Sequence, residues 1–457
     1  MRSHMPPVRS TLSIAAAALV LAAPVQAQQA GPSILRDAET EAFFKDLARP
    51  LIIAAGLDPR SVQIVLVGDA SINAFAGGGQ NVFIHSGTIV AATNVNMLQG
   101  IVAHELGHIS GGHNVRFNEG AGPATNISLL SLLAAGAAVA LGAGEAGMAL
   151  LGAGMTVAQG KFLAFSREQE SRTDAAGATF LSKAGISGKG SIDFFKLLQG
   201  QEFRLAIPQD NEYNRTHPLS GTRIATLEAT YREDAAWNRP SDAALEARFK
   251  RVKGKLVGYV DDPAHVFVLY PESDASEGAR YARAYAWHRT AYAEPAAREI
   301  DALLRAKPSD PYFLELKGQI LLEGGKPADA VPVLRLAVAA APDQPLIATQ
   351  LGHALVTTED PKDFAEAEIL LRKAIAQDRE NPFAWYNLGV IFDRKRDEPR
   401  AALAQAESAN LSGDARSAAA KARFARAGLP KGTRDWLRAD DIAEVATNEL
   451  QDRKKRR

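Results

Sequence analysis

The chain has 457 residues, 46% of them apolar, with 52 basic side chains balanced by 52 acidic ones and no cysteine. That length and apolar content support two domains with cores of their own. Neutral charge gives no support to nucleic acid as a partner and no long-range steering field, and the lack of cysteine excludes a disulfide scaffold and a lipobox anchor.

At the N-terminus, Arg2 and Arg9 accompany an uncharged Ala/Leu/Val-rich run from Thr11 to Ala23, followed by the small-x-small string Val25-Gln26-Ala27. This is the pattern of a cleavable export signal whose apolar run is too short to span a bilayer. Residues 1–27 are therefore expected to be removed, and an exported, cysteine-free chain of bacterial character points to the periplasm. Ser61 to Val67 reads as a strand. Ile72 to Phe75 and Val82 to His85 flank Gly77-Gly78-Gly79-Gln80-Asn81 and read as a hairpin with a flexible tip.

Asn96 to Ile109 has a helical pattern and contains His104-Glu105-Leu106-Gly107-His108. Residues four apart share a helix face, so both imidazoles can reach one metal ion, and zinc is the natural candidate for an H-E-x-x-H pair. Glu105 is placed to reach the attacking water without ligating the metal. A zinc ion lowers the pKa of water to roughly 7, after which a carboxylate can take its proton. In the competing metzincin pattern Gly111 falls in place, but the third histidine position is Asn114. His113 misses by one and is read as satisfying a backbone group past the helix end.

Ile127 to Gly160 carries a single charge, Glu145. It is expected to form a helical hairpin turning around Gly142 to Gly147, buried or touching a membrane surface near the active site rather than spanning a bilayer. Ser166 to Asp174 is polar, and its Glu170 and Asp174 share a helix face. Glu170 can supply the third ligand, while Asp174 hydrogen-bonds the outer nitrogen of His104 and fixes its tautomer. Asn214 to Ile224 contains T-H-P-x-x-x-x-R-I. His217 precedes Pro218, which biases it away from the helical region. An imidazole so presented could take the fourth zinc position in a resting enzyme.

H-E-x-x-H, then S-R-x-x-E-x-x-x-D, then T-H-P-x-x-x-x-R-I, with Asn73-Ala74-Phe75-Ala76-Gly77-Gly78 upstream, resemble the zinc peptidases of the CAAX-prenyl-protease and HtpX superfamily. The resemblance covers Ile34 to about Leu256. It implies a gluzincin-like domain with one zinc per chain held by His104, His108 and Glu170, and Glu105 as general base. It also implies that His217 and Arg223 lie near the metal and act on the substrate oxyanion, and that an edge strand beside the metal pairs with an extended substrate. One departure stands out: the family often has Ala before the aspartate, where this chain has Thr173.

The second half is periodic. From Pro311 the chain places Leu314, Gly318, Leu321, Ala330, Leu334 and Ala337 on the tetratricopeptide template of about 34 residues. Pro382, Trp385, Leu388, Gly389, Phe392 and Ala401 match it again. A unit from Pro345 carries extra residues around Glu359-Asp360-Pro361, and a weaker unit places Ala284, Trp287, Ala296 and Ile300. Such helix pairs bury their apolar faces only by stacking. Ala415 to Leu429 and Thr433 to Asn448 are expected as capping helices, and Arg453 to Arg457 as a solvated basic helix end.

The expected fold is mainly α with a small β-sheet: a metallopeptidase domain over 28–260, a junction over 261–276, repeats over 277–414, and caps with a basic tail over 415–457. No proposed ligand lies beyond His217, so a chain cut near Gly278 is expected to hold its zinc. The whole resembles a periplasmic branch of that superfamily associated with quality control of outer-membrane β-barrel proteins. That implies a zinc metalloendopeptidase whose array docks protein clients and the assembly machinery, with no nucleic acid and with peripheral membrane contact through 127–160. The alternative is a chaperone or assembly factor with minor or latent proteolysis.

Overall fold

The structure is a computed structural model that describes residues 33–113, 130–131, 144–205, 217, 221–290 and 292–455. The export signal, most of 114–143, most of the T-H-P string and the final two arginines lie outside the described residues.

The first elements are β1 (Ser33–Leu35), α1 (Ala38–Ala54), β2 (Gln63–Gly68), β3 (Ala74–Gly77) and β4 (Asn81–His85). They form one sheet of order β1-β2-β4-β3, in which β2 runs parallel to β4 and the other neighbours are antiparallel. Strand β1 was not legible as a strand, because three residues are too few to show alternation. The β3–β4 hairpin turns on Gly78 and Gly79, whose φ angles of 52° and 90° favour glycine. Val82 and Ile84 point inward and are fully buried.

Helix α2 (Ser86–Ala91) leads into α3 (Val95–Ser110), whose start is capped by Asn94 accepting from the Met97 N–H at 3.0 Å. Every residue from Val95 to His108 is buried, so α3 runs through the centre of the core. Around it lie the sheet, α1, α4 (Gly144–Ala184), α5 (Lys189–Leu205) and α6 (Gly221–Glu233). The expected helical hairpin is only partly described. Its second arm starts at Gly144 and continues unbroken through Glu170 to Ala184. Among the described residues, no helix is long and apolar enough to cross a membrane.

Helices α7 (Ala243–Val260) and α8 (Pro263–Leu269) precede four helix pairs. These are α9/α10 (Glu277–Arg289, Ala293–Ala306), α11/α12 (Pro311–Glu323, Pro327–Ala340), α13/α14 (Pro345–Thr357, Asp363–Gln377) and α15/α16 (Pro382–Arg394, Glu398–Leu411). Gly318 and Gly352 recur where a pair crosses closely: a Cβ would come within 2.4 Å of Leu334 and 2.8 Å of Leu371. The extra residues of the third pair sit in its loop, where Glu359 takes φ 56°. Helices α17 (Ala415–Gly428) and α18 (Arg434–Lys455) close the far end over an alanine-rich core.

The boundary between the two halves is a packed interface. Gly254 and Gly258 of α7 lie so near α9 that a Cβ would come 2.2 Å from the Gly278 carbonyl and 2.3 Å from that of Ala282. Arg251 is buried between Glu39 of α1 and Asp310 of the array, which accepts from both its Nη atoms at 2.5 and 2.6 Å. Its guanidinium also stacks 4.0 Å from the Phe313 ring centroid. The Tyr281 hydroxyl donates to Glu39 at 3.0 Å, and Lys255 pairs with Asp37. Ala38 at the start of α1 is buried with Leu314 and Ile347.

A cavity of about 500 Å³ separates β1 and the start of α1 from the first helices of the pairs, lined by Arg36, Lys255, Tyr285, Glu315, His353 and Phe383 among others. Glu315 Oε2 is sealed from solvent without a hydrogen-bond partner among the described residues, and burial pushes its carboxyl up to about 8 although Lys255 opposes the shift.

Two outcomes follow. A fragment ending at Ser276 uncovers the glycine face of α7 and strips Arg251 of Asp310, leaving a buried charge short of its partner. Contrary to the sequence-based expectation, it should melt well below the full chain or precipitate, as thermal unfolding in the presence of metal would reveal. Glu315 has a folded-state pKa above its unfolded value, so its stabilising share is complete below the ordinary carboxylate range and is lost as pH rises through about 8. Glu315→Gln should therefore abolish that share of the fall in melting temperature between pH 5 and pH 8.

Candidate metal centre

Helix α3 carries His104, Glu105 and His108, and α4 carries Glu170, Thr173 and Asp174. The two helices meet through small residues. A Cβ on Gly107 would lie 2.8 Å from the Thr173 carbonyl, and one on Gly177 would lie 3.2 Å from that of Ala103. This contact puts the Glu170 carboxylate over both imidazoles.

His104, His108, Glu170 and His217 are all buried and converge on one point. His104 Nε2 and His108 Nε2 are 3.2 Å apart, and each lies 3.3 Å from His217 Nδ1. Glu170 presents Oε2 to His104 and Oε1 to His108 at 3.4 Å each, with Oε1 3.1 Å from His217 Nδ1. A tetrahedron whose corners lie ~2.0–2.1 Å from a central ion has edges of ~3.3 Å. Three imidazole nitrogens at that spacing, faced by the two oxygens of Glu170 and with too few protons to satisfy every contact, fit a divalent cation.

Their surroundings favour the same charge arrangement. The Asp174 and Glu170 carboxylates raise the His104 ring to about 10 despite burial. Burial opposes charge on Glu170 and Asp174, but adjacent imidazoles outweigh it and hold both below the usual carboxylate range, with Arg223 assisting Asp174. Burial lowers His108 to about 3. Glu105 is fully buried beside the cluster. Its oxygens make no full-strength hydrogen bond to a described residue, although the Ala76 backbone approaches them, and Oε1 lies 3.7 Å from His217 Nε2. Burial pushes its carboxyl up, partly countered by His217 and His104.

Behind the cluster, His104 Nδ1 lies 3.0 Å from Asp174 Oδ1. Arg223 of α6 donates through Nε and Nη2 to Asp174 at 2.7 and 2.9 Å, and its Nη2 lies 3.0 Å from Glu170 Oε2. The sequence reading placed Arg223 at the substrate oxyanion. Here two of its donors are engaged by the carboxylates of α4, so it braces the cluster from behind. His113 meets the His108 and Thr173 side chains. Glu168 faces solvent, paired with Arg172. Strand β3 forms the outer edge of the sheet and packs against α3.

Residues 35–231 match the sequence profile described as Peptidase family M48. Two proteins named beta-barrel assembly-enhancing protease are similar along most of the chain. That of Yersinia pestis is 25% identical over 91% of this chain and 85% of its own length. That of Escherichia coli (strain K12) is 23% identical over 83% and 77%. A solved tetratricopeptide protein, YrrB, titled as having an unusual peptide-binding site, is 20% identical, covers 38% of this chain and 89% of its own, and overlays with a TM-score of 0.31. That likeness adds nothing to what the helix pairs themselves show.

Gly107→Ala tests the helix contact directly. The added methyl must push α3 from α4, so it should cost about 1–3 kcal/mol of stability by overpacking. Thermal unfolding and metal analysis should show both a lower melting temperature and less metal per chain.

Proposed function

We propose that this metalloprotease, whose residues 35–231 form an M48 peptidase domain, is a periplasmic zinc endopeptidase that cuts misassembled envelope or outer-membrane proteins docked by its helical array. The observation that carries the reading is the set of four buried donor atoms at nearly equal spacing beside the sealed carboxylate of Glu105. The names of the two relatives support the client class, and the signal-like N-terminus supports export.

His104, His108 and Glu170 would hold one zinc ion, with Asp174 fixing the His104 tautomer. When bound, zinc supplies Lewis acidity that polarises a peptide carbonyl and acidifies water. Glu105 takes the proton of the attacking water as the new C–O bond forms, then passes it to the amine as the C–N bond breaks. A basic carboxylate in a dry site suits both steps. Arg223 supports them at one remove, by holding Glu170 and Asp174 in place. At rest His217 would be the fourth ligand, which would keep an exported protease latent, and with substrate its ring would be free to donate to the developing oxyanion. The client adds as a strand to the open edge of β3, using its main chain and not its side chains, so cleavage depends on exposed backbone more than on sequence.

Docking falls to the groove between β1 and the first helices of the pairs. Phe383 lines it and stacks on Tyr386 with ring centroids 6.3 Å apart, and each is about half exposed. Aromatic surface of this kind suits an unfolded, apolar client segment. That groove also favours the second reading, in which the protein acts mainly by binding assembly intermediates.

Variants separate these roles. Glu105→Gln should retain zinc and fold but lower digestion of a casein-type substrate by about 100-fold or more. Full complementation of an envelope defect by that variant would move the biology to the binding reading. His217→Ala should raise basal cleavage if the ring guards the metal. Arg223→Ala should lose turnover. Equal loss in both would remove the latency role, leaving His217 as a donor only.

A further inference from the structure

We infer that His113 is a positioning residue for the metal centre: its Nδ1 accepts the outer proton of His108. The inference rests on the reading of His108 as a metal ligand.

The geometry begins with a tautomer. For Nε2 of His108 to aim a lone pair at an ion, the ring must carry its proton on Nδ1. His108 is buried, so that proton needs an acceptor inside the protein. His113 Nδ1 lies 2.9 Å from His108 Nδ1, with the two rings nearly perpendicular at a centroid separation of 5.0 Å. An accepting Nδ1 places the His113 proton on Nε2. The Thr173 hydroxyl approaches the same Nδ1 at 3.1 Å from a side chain with no solvent exposure.

The backbone is arranged to bring this ring home. Helix α3 ends at Ser110, and Gly112 takes φ 65°, reversing the chain so that His113 folds back over the last turn. Gly111 makes the room: a Cβ there would lie 2.6 Å from His113 Nε2. The two histidines of α3 thus lean on different supports: Asp174 holds His104 and His113 holds His108. The supports are unequal, since one is a carboxylate and the other a neutral ring.

The test is zinc affinity of the full-length chain, measured by competition against a chromophoric chelator. His113→Phe keeps the ring volume and removes the acceptor; loss of such a support typically weakens metal binding by about 10- to 100-fold. His113→Asn returns an acceptor oxygen near the Nδ1 position and should stay within a few-fold of wild type. Thr173→Val removes only a hydroxyl that shares the His113 Nδ1 lone pair and should stay within a few-fold of wild type. Unchanged affinity in His113→Phe, or equal loss in the Phe and Asn variants, overturns the inference. If the Phe variant does not fold, Asn and His113→Leu decide: Asn must bind zinc nearly as wild type and Leu measurably less tightly, or the inference fails. His108→Ala separates it from the underlying reading. Full zinc content in that variant would reject His108 as a ligand, whereas lost zinc there with normal affinity in His113→Phe would reject only the role of His113.

Discussion

The backbone contact between α3 and α4 is the constraint on which the metal centre depends. Gly107 and Gly177 bring two helices close enough that carboxylates of one meet imidazoles of the other inside the protein. Charged groups so placed cost several kcal/mol each unless every one is answered. The cluster answers them in layers. Imidazoles face Glu170, Asp174 faces His104, and Arg223 spans both carboxylates. A cation among the four donors completes that arrangement, which is why burial and a dense charge network coexist here.

The same principle operates a second time at the join between the two halves. Glu39 near the start of α1 is flanked by Arg251 and Lys255 of α7 and by the Tyr281 hydroxyl of α9. Asp310, at the foot of the third array helix, reaches Arg251 while also capping its own helix through the N–H groups of Tyr312 and Phe313. One buried arginine therefore ties a helix of the catalytic core to a helix cap in the array.

Much of this was legible in the sequence because it is periodic or local. Two histidines four apart define a face of α3, and recurring Gly, Ala and Pro positions define the helix pairs, including the enlarged loop of the third. What stayed hidden depends on packing between distant segments. Nothing in the spelling of Arg251, a basic residue amid Lys250, Lys253 and Lys255, sets it apart from a solvated helix face, yet it is buried. Motif order placed Arg223 near the metal, but it cannot say which way a guanidinium points, so the bonds to Asp174 were hidden. His113 was passed over because its partner Thr173 lies sixty residues on, joined to it only by the fold. Strand β1 was too short to announce itself.

The close meeting of α7 and α9 has an evolutionary reading. Repeat arrays are often regarded as interchangeable parts, added to an enzyme at a seam. Here the seam is interdigitated: Gly254 and Gly258 accept the backbone of the first repeat, and the N-terminal helix of the catalytic half is wedged against the third and fifth array helices. A swap of arrays between relatives at this boundary would have to carry α7 and α1 along with it. Change at such a seam falls more readily on the side chains lining the groove than on the number and order of helices beside the catalytic half.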